Sequence, residues 1–138
     1  MPRSYAVRSA GWALLLGVGG LLGCSSDNRV GVEGTVTYDG QPIPLGSITF
    51  LPLGEGGIKS GDRIVNGVYK VEPRFGPMPG PHRVEIRWNK PTGKKYKNEF
   101  GEELDRTQEG LPGKYHTNSI LTAEIKPGKN IIDFHLEK

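Results

Sequence analysis

The chain has a single cysteine, Cys24, among its 138 residues. One thiol cannot form an intramolecular disulfide, and a free thiol is open to mixed disulfides in an oxidising compartment. The sequence also lacks any window with a sustained apolar period near 3.6, the pattern of an amphipathic helix. It has 21 glycines and 11 prolines, which favour frequent turns. Together these features predict an almost entirely β structure.

The signatures of common catalytic and metal sites are missing as well. The three histidines are widely spaced: His82, His116 and His135. No two of them have the spacing of a zinc site, and we expect structural or solvated roles for all three. Ser47 follows Gly46 but lacks the second glycine of a nucleophile elbow. The glycines between 54 and 57 precede no Gly-Lys-Ser/Thr triplet, so they do not form a phosphate loop. We expect no enzymatic activity, no cofactor and no metal.

A boundary lies near the start of the chain. Arg3 and Arg8 precede an apolar run from Trp12 to Leu22, which is long enough for a secretory signal and too short to span a bilayer. The run ends in Leu21-Leu22-Gly23-Cys24. This pattern resembles a bacterial lipobox. An ordinary signal peptide with a stray thiol and a buried N-terminal helix are the alternatives.

The lipobox resemblance implies a signal peptide over residues 1–23 and a mature chain that begins at an acylated Cys24. Several acyl chains anchor a protein stably where a single one is marginal, and acylation also removes the free thiol. Residues 24–29 are polar and are predicted to form a flexible tether. Ser25 beside the cysteine favours the outer membrane. We therefore expect a secreted protein held at the cell envelope by a lipid anchor.

The charge balance excludes one class of partner. The whole chain carries a formal net charge of +3. Two of its 18 cationic side chains, Arg3 and Arg8, lie in the predicted signal peptide, so the remaining chain has 16 cations against 15 acids. A balance this even offers no basic surface for nucleic acid, and we expect no nucleic-acid partner.

Residues 30–138 are predicted to form one domain of short strands. Alternation with period two, which indicates a strand with one buried face, occurs in five stretches: Val30–Tyr38, Ser47–Pro52, Arg83–Trp88, Leu121–Lys126 and Ile132–Leu136. Asn66-Gly67 stands between two further short strands and predicts a type I′ hairpin turn. Pro127–Asn130 is predicted to join the last two strands as a hairpin. The pattern indicates an all-β, antiparallel β-sandwich of about seven strands.

The motifs within these strands resemble a known family. They are Val32-Glu33-Gly34-Thr35-Val36, Asp39-Gly40-Gln41-Pro42, Ser47-Ile48-Thr49-Phe50, Asn66-Gly67-Val68-Tyr69 and Gly80 followed by Val84-Glu85-Ile86. This series is similar to the carboxypeptidase-regulatory-like, transthyretin-like sandwich, an Ig-like fold, although His82 stands where a large residue is usual. The ending, from Leu111 to Leu136, resembles that of small bacterial lipoproteins built on this domain. The resemblance implies a non-catalytic accessory or display domain.

Residues 89–111 are predicted to form a long charged loop. Its charges are segregated, because four lysines come first and five acids follow: Lys90, Lys94, Lys95 and Lys97, then Glu99, Glu102, Glu103, Asp105 and Glu109. One interpretation is a solvated loop whose halves attract each other. The other is a partner-binding loop, anchored by Tyr96 and Phe100 with Lys94, Lys95 and Lys97 around them.

Two smaller hypotheses concern ligands. Glu102, Glu103 and Asp105 would suit calcium, but the ordered ligand pattern of a calcium loop is absent. Trp88 would suit a carbohydrate platform if it were exposed, although its phase places it with Val84 in the core. The expected function is a structural or protein-interaction module of the envelope, with another envelope protein as partner. Carbohydrate or small-ligand binding is the alternative.

Overall fold

The computed structural model describes residues 27–138 and shows an all-β chain. Its strands are β1 (Val32–Tyr38), β2 (Gln41–Pro42), β3 (Leu45–Pro52), β4 (Ser60–Val65), β5 (Val68–Val71), β6 (Gly80–Lys97), β7 (Glu103–Glu109), β8 (Leu121–Ile125), β9 (Asn130–Ile131) and β10 (Phe134–Leu136). Two short 3-10 turns cover Pro73–Phe75 and Gly113–Tyr115. The predicted signal peptide and Cys24 lie outside the described residues. Among residues 27–138, no helix is long and apolar enough to cross a membrane.

All ten strands are connected by hydrogen bonds, with a main path in the order β10-β1-β5-β4-β3-β6-β7. Most neighbours are antiparallel, whereas β9 and β10 run parallel to β1. The strand pairing along this path is shortest between β4 and β5, which share only one residue pair, Val65↔Val68. Two groups of strands result: β3, β4, β6, β7 and β8 on one side of this link, and β1, β2, β5, β9 and β10 on the other.

The buried side chains of the two groups pack against each other. The rings of Phe50 on β3 and Tyr69 on β5 lie 6.2 Å apart between centroids, and those of Tyr38 on β1 and Trp88 on β6 lie 6.0 Å apart. The predicted alternation is confirmed in β1, β3 and the first part of β6. Its inward residues are buried: Val32, Val36, Ile48, Phe50, Val84 and Ile86.

The predicted Asn66-Gly67 turn is confirmed. Asn66 has a φ of 50° and Gly67 a φ of 74°, the two positive values that a type I′ turn requires. The same geometry recurs at Asp39 and Gly40, with φ values of 51° and 77°. This second turn directs the chain from β1 into the short strand β2.

The predicted hairpin around Pro127–Asn130 is wrong. β8 pairs with β6, while β9 and β10 pair with β1 and are separated by Ile132 and Asp133. Gly34 permits this arrangement, because a Cβ there would lie 1.9 Å from the Ile132 carbonyl oxygen. The Tyr69 hydroxyl donates to the same oxygen at 2.7 Å. The C-terminal segment is therefore held against β1 at a position where a larger residue would exclude it.

The predicted loop over residues 89–111 is also wrong for most of its length. β6 continues to Lys97 and pairs with β7, so residues 89–109 form a β-hairpin, which we call the arm. Every residue of β7 is exposed. The remainder of the described chain is called the body. Since the arm buries neither face, its sequence does not show the apolar alternation by which the other strands could be predicted.

Candidate functional site: the arm

The base of the arm is fixed to the body by Glu109. Its Oε1 accepts hydrogen bonds from the backbone N–H groups of Trp88 and Leu111, both at 3.0 Å, and its Oε2 lies 3.5 Å from Arg87 Nη1. The Gly110 N–H donates to the Trp88 carbonyl at 2.9 Å. The Glu109 carboxylate thus connects Trp88, which precedes the arm, with Leu111, which follows it.

Trp88 packs at this base and does not form an open platform. Its side chain lies against the core as predicted, and its Nε1 is buried with no hydrogen-bond partner in the described part of the chain. Lys90 Nζ lies 5.2 Å from the ring centroid, and a Cβ on Gly110 would come within 2.6 Å of the ring. A sugar would need an accessible ring face, so Trp88 gives no support to carbohydrate binding.

A bulge interrupts the middle of the arm. The pairing shifts between Pro91↔Thr107 and Lys95↔Asp105, so β6 has three residues where β7 has one. Gly93 adopts a φ of 79° within it. The Thr92 hydroxyl donates to the Arg106 carbonyl at 2.8 Å and closes the irregularity. Bulges redirect a strand, and this one sets the direction of the outer half of the arm.

The outer half of the arm has two different faces. Tyr96 pairs directly with Leu104, and the Arg106 guanidinium lies 5.8 Å from the Tyr96 ring centroid. These three side chains form what we call the apolar face of the arm. Residues on opposite pleats alternate between faces. The other face, which we call the charged face, contains Lys95, Lys97, Glu103 and Asp105.

The tip of the arm is ordered by one asparagine. Asn98 Oδ1 accepts from the N–H groups of Phe100 and Glu102, both at 3.0 Å, and Asn98 Nδ2 donates to Glu102 Oε2 at 2.8 Å. Gly101 completes the turn with a φ of 79°. Phe100 projects from this turn with 80% of its surface exposed. A large aromatic side chain is therefore held in solvent by a defined backbone.

The predicted binding residues are distributed over three parts of the arm. Tyr96 lies on the apolar face and Phe100 at the tip, whereas Lys95 and Lys97 lie on the charged face and Lys94 lies in the bulge. The sequence prediction missed Leu104 and Arg106 as members of the apolar face. Only the strand register, which depends on the bulge, brings them beside Tyr96. Their part in binding stays a prediction.

The three histidines are separated in the structure. Their hydrogen-bond neighbours are backbone carbonyls or hydroxyls: His82 Nδ1 is 3.0 Å from the Gly80 oxygen, His116 Nε2 is 3.2 Å from the Leu111 oxygen, and His135 Nδ1 is 3.0 Å from Thr37 Oγ1. His82 is buried against Phe50. Within residues 27–138, no three His, Cys, Asp or Glu side chains are grouped to hold a metal ion.

Among the described body residues with shifted pKa values, Tyr69 and Asp133 lie where the C-terminal segment meets β5 and β1. Burial raises the pKa of the Tyr69 hydroxyl above its ordinary range, with a smaller contribution from the nearby Asp133 carboxylate. Hydrogen bonds from the N–H and hydroxyl groups of Thr35 lower the pKa of Asp133. The Tyr69 hydroxyl donates to the Ile132 carbonyl. The Asp133 carboxylate accepts the N–H of Thr35 on β1, in place of a backbone carbonyl. Both shifts therefore belong to groups that fasten the C-terminal segment.

Comparison with known proteins gives no match. No family model matches the chain, and neither does a curated protein or a solved structure. The arm combines exposed apolar side chains with an ordered backbone, and it is the feature of the described residues that most directly suggests a binding surface.

Proposed function

We propose that the protein is a bacterial lipoprotein of the cell envelope whose body presents the arm to another envelope protein. In this proposal Cys24 is acylated and anchors the chain in a membrane, most consistently the outer membrane, and the module is non-catalytic. The observation that carries the proposal is the set of exposed residues Tyr96, Phe100 and Leu104 on an ordered hairpin.

The apolar face and the tip together have the composition of a binding surface. Aromatic residues and arginine supply most of the binding energy at protein interfaces, and Tyr96, Phe100 and Arg106 are of these types. Leaving apolar area in water costs about 25 cal/mol per Å², so an ordered exposed aromatic gains free energy when a partner covers it. The Asn98 turn already fixes the Phe100 backbone, which reduces the entropy lost on binding.

The strand pairing supports the transthyretin-like sandwich as the architecture of the body. Two strand groups joined by one residue pair, with Phe50 of one group against Tyr69 of the other, are what two packed layers would produce. On this architecture the arm extends from one end of a layer. The strands beneath it then serve as a rigid base.

The position of the tether favours display away from a membrane. The Val30 N–H donates to the Pro77 carbonyl at 2.9 Å, which places the start of the described chain close to the start of β6. β6 has 18 residues, and at about 3.3 Å per residue it spans up to roughly 55 Å before the tip. The start of the described chain and the tip of the arm are therefore near opposite ends of the longest strand.

Crosslinking from single positions tests partner binding. A photoreactive side chain at position 100 is expected to give one discrete protein adduct in producing cells, whereas the same group at Ile120, an exposed body residue, gives none. Tyr96→Ser and Leu104→Ser should each reduce the adduct. Lys97→Ser and Asp105→Ser, on the charged face, should leave it unchanged. Equal adducts from positions 100 and 120, or equal effects from both faces, would refute binding through the apolar face.

Mass spectrometry and fractionation test the anchor separately. The N-terminal peptide of the mature protein should begin at an acylated Cys24. Cys24→Ala should shift the protein from the membrane fraction to the soluble fraction, with Ser26→Ala as a control that leaves it in the membrane fraction. A mature chain with an unmodified thiol would refute the anchor without bearing on the arm.

A further inference from the structure

One end of the body gathers the loops that surround the tether. Val32 pairs with both Val71 and Asn130, and Gly80 pairs with Ile125. The segments that enter or leave the strands at these residues therefore lie at the same end of the strands. We call this end the tether pole. It comprises four segments: residues 27–31, 53–59, 72–79 and 126–129.

Large apolar side chains are exposed on these loops. They are Leu53, Ile58, Phe75 and Met78, with exposed fractions of 60%, 61%, 56% and 44%. Ile58 and Met78 line the same shallow depression, and Met78 also borders a second one beside Arg29 and Val30. Ile58 and Met78 therefore border one apolar surface next to the start of the described chain, and Leu53 and Phe75 are exposed on loops of the same pole.

The loop that carries Phe75 is held firmly against the tether. A Cβ on Gly76 would lie 1.8 Å from the Val30 carbonyl oxygen, so the two backbones are in close contact. Arg29 Nη1 donates to the Arg74 carbonyl at 3.3 Å. The Arg74 guanidinium in turn lies 4.5 Å from the centroid of the Phe75 ring. The exposed phenyl ring thus lies against the Arg74 guanidinium, on a loop fixed beside the residues that lead to Cys24.

The charge of the tether pole is positive. Its four segments contain five cations, Arg29, Lys59, Arg74, Lys126 and Lys129, and three acids, Asp27, Glu55 and Glu72. Asp27 is paired with Arg29 at 3.3 Å, Glu72 with Lys70 at 3.5 Å, and Lys129 with Glu33 of β1 at 2.8 Å. An apolar surface with cations around it matches an interface where acyl chains lie beneath anionic headgroups.

We infer that the tether pole rests on the bilayer surface, with Ile58, Phe75 and Met78 inserted among the lipids and the cations at the headgroups. The inference rests on the proposed acylation of Cys24. Cys24 and Asp27 are three residue steps apart, and an extended chain covers about 3.3–3.6 Å per residue, so Asp27, the first residue of the pole, stays within roughly 11 Å of the anchored residue. The anchor would therefore hold the start of the pole close to the lipid surface.

This contact has a consequence for the arm. An acyl anchor alone would let the body rotate about a flexible tether, whereas a second attachment through the tether pole fixes its orientation. β6 begins at the pole and continues into the arm, so a fixed body holds the base of the arm at the end of the strands that is far from the membrane. The anchor and the binding surface would then be separated by the length of the body.

Tryptophan quenching by lipid tests the inference. Phe75→Trp and Phe100→Trp are made in the full gene, and the mature proteins are reconstituted into vesicles that contain phosphatidylglycerol brominated near the top of the acyl chains. The unsubstituted protein provides the baseline emission, which includes that of Trp88. Most of the emission added at position 75 should be quenched, because an interfacial side chain lies about 5–10 Å deep. The emission added at position 100 should be unaffected, and Ile58→Trp should behave like Phe75→Trp.

The outcomes separate this inference from the proposed anchor. Emission at positions 58 and 75 that is the same in brominated and plain vesicles would overturn the inference, as would equal quenching at positions 75 and 100. The N-terminal peptide of the same preparation reports acylation independently. An acylated Cys24 without quenching at position 75 rejects the pole and keeps the anchor, whereas quenching with an unmodified Cys24 keeps the pole and rejects the anchor.

Discussion

The body and the arm are built from the same backbone pairing but are ordered by different interactions. In the body, Phe50 and Ile86 are completely buried between strands. In the arm, all seven residues of β7 are exposed, and order comes from the Glu109 base, the bulge and the Asn98 turn. Burial stabilises the body, and local polar contacts stabilise the arm. Substitutions in the two regions should therefore differ in size and in what they change.

The largest expected difference is between two phenylalanines. Phe50→Ala removes a fully buried ring and should lower the free energy of unfolding by about 3–5 kcal/mol. Phe100→Ala removes a ring that is 80% exposed and should leave the unfolding midpoint unchanged. Urea denaturation of both variants measures the contrast. A comparable loss from Phe100→Ala would mean that the tip packs on the body.

The junction between the two regions is the next most sensitive point. Gly110→Ala would place a methyl group 2.6 Å from the Trp88 ring, and the resulting displacement should cost about 1–3 kcal/mol. Gly113→Ala is the matched control, since nothing lies within 4 Å of a Cβ there. Thermal unfolding of the two variants provides the test. Equal midpoints would show that Trp88 moves freely and that the base is not tightly packed.

This contrast also explains how far the sequence could predict the fold. Alternation predicted β1, β3 and the first part of β6 correctly because each buries one face. It did not reveal that the segment from Ile132 to Leu136 pairs with β1, because alternation shows which face is buried and not which strand is adjacent. That pairing depends on Gly34, whose missing side chain lets the Ile132 carbonyl approach. The sequence alone gives no signal that distinguishes this glycine from a turn glycine.

A pH effect is expected in the body. Since the hydrogen bonds from Thr35 lower the pKa of Asp133 below 3.8, the folded state favours the ionised carboxylate. Its stabilising contribution is present above pH 3.8 and is lost as the pH falls through the lowered value. Asp133→Asn should therefore reduce stability near neutrality and weaken its decline below pH 3.8. Urea midpoints of both proteins between pH 2 and 7 measure this, and parallel curves would contradict it.

A smaller and purely local effect is expected at the tip. Asn98→Ala removes the acceptor for the N–H groups of Phe100 and Glu102, and each bond contributes about 0.5–1.5 kcal/mol. Hydrogen exchange at these two amides should accelerate. The amides of Ile48 and Ile86 in the body serve as internal references and should exchange at unchanged rates. Faster exchange in the body would show that the arm and the body open together.

The candidate site, like the arm, could be predicted only in part, because the arm buries neither face and its sequence shows no apolar alternation. Tyr96 and Phe100 could be identified because aromatic residues are conspicuous in a charged segment. Leu104 and Arg106 could not, because their position beside Tyr96 is set by the bulge between Pro91 and Lys95. A bulge has no firm sequence signature when neither face of the hairpin is buried, so the composition of the apolar face required the structure.

The smallest effect should come from the ion pair on the charged face. Lys95 Nζ and Glu103 Oε2 are 4.0 Å apart, and both side chains are more than half exposed. Exposed pairs of this kind contribute roughly 0.2–1 kcal/mol, and this one lies at the distance limit. A double-mutant cycle with Lys95→Ala and Glu103→Ala should therefore give a coupling of at most a few tenths of a kcal/mol that decreases with salt. A coupling above about 1 kcal/mol would mean that charge pairing orders the outer arm. The order of the arm would then not depend mainly on the Asn98 turn and the Glu109 base.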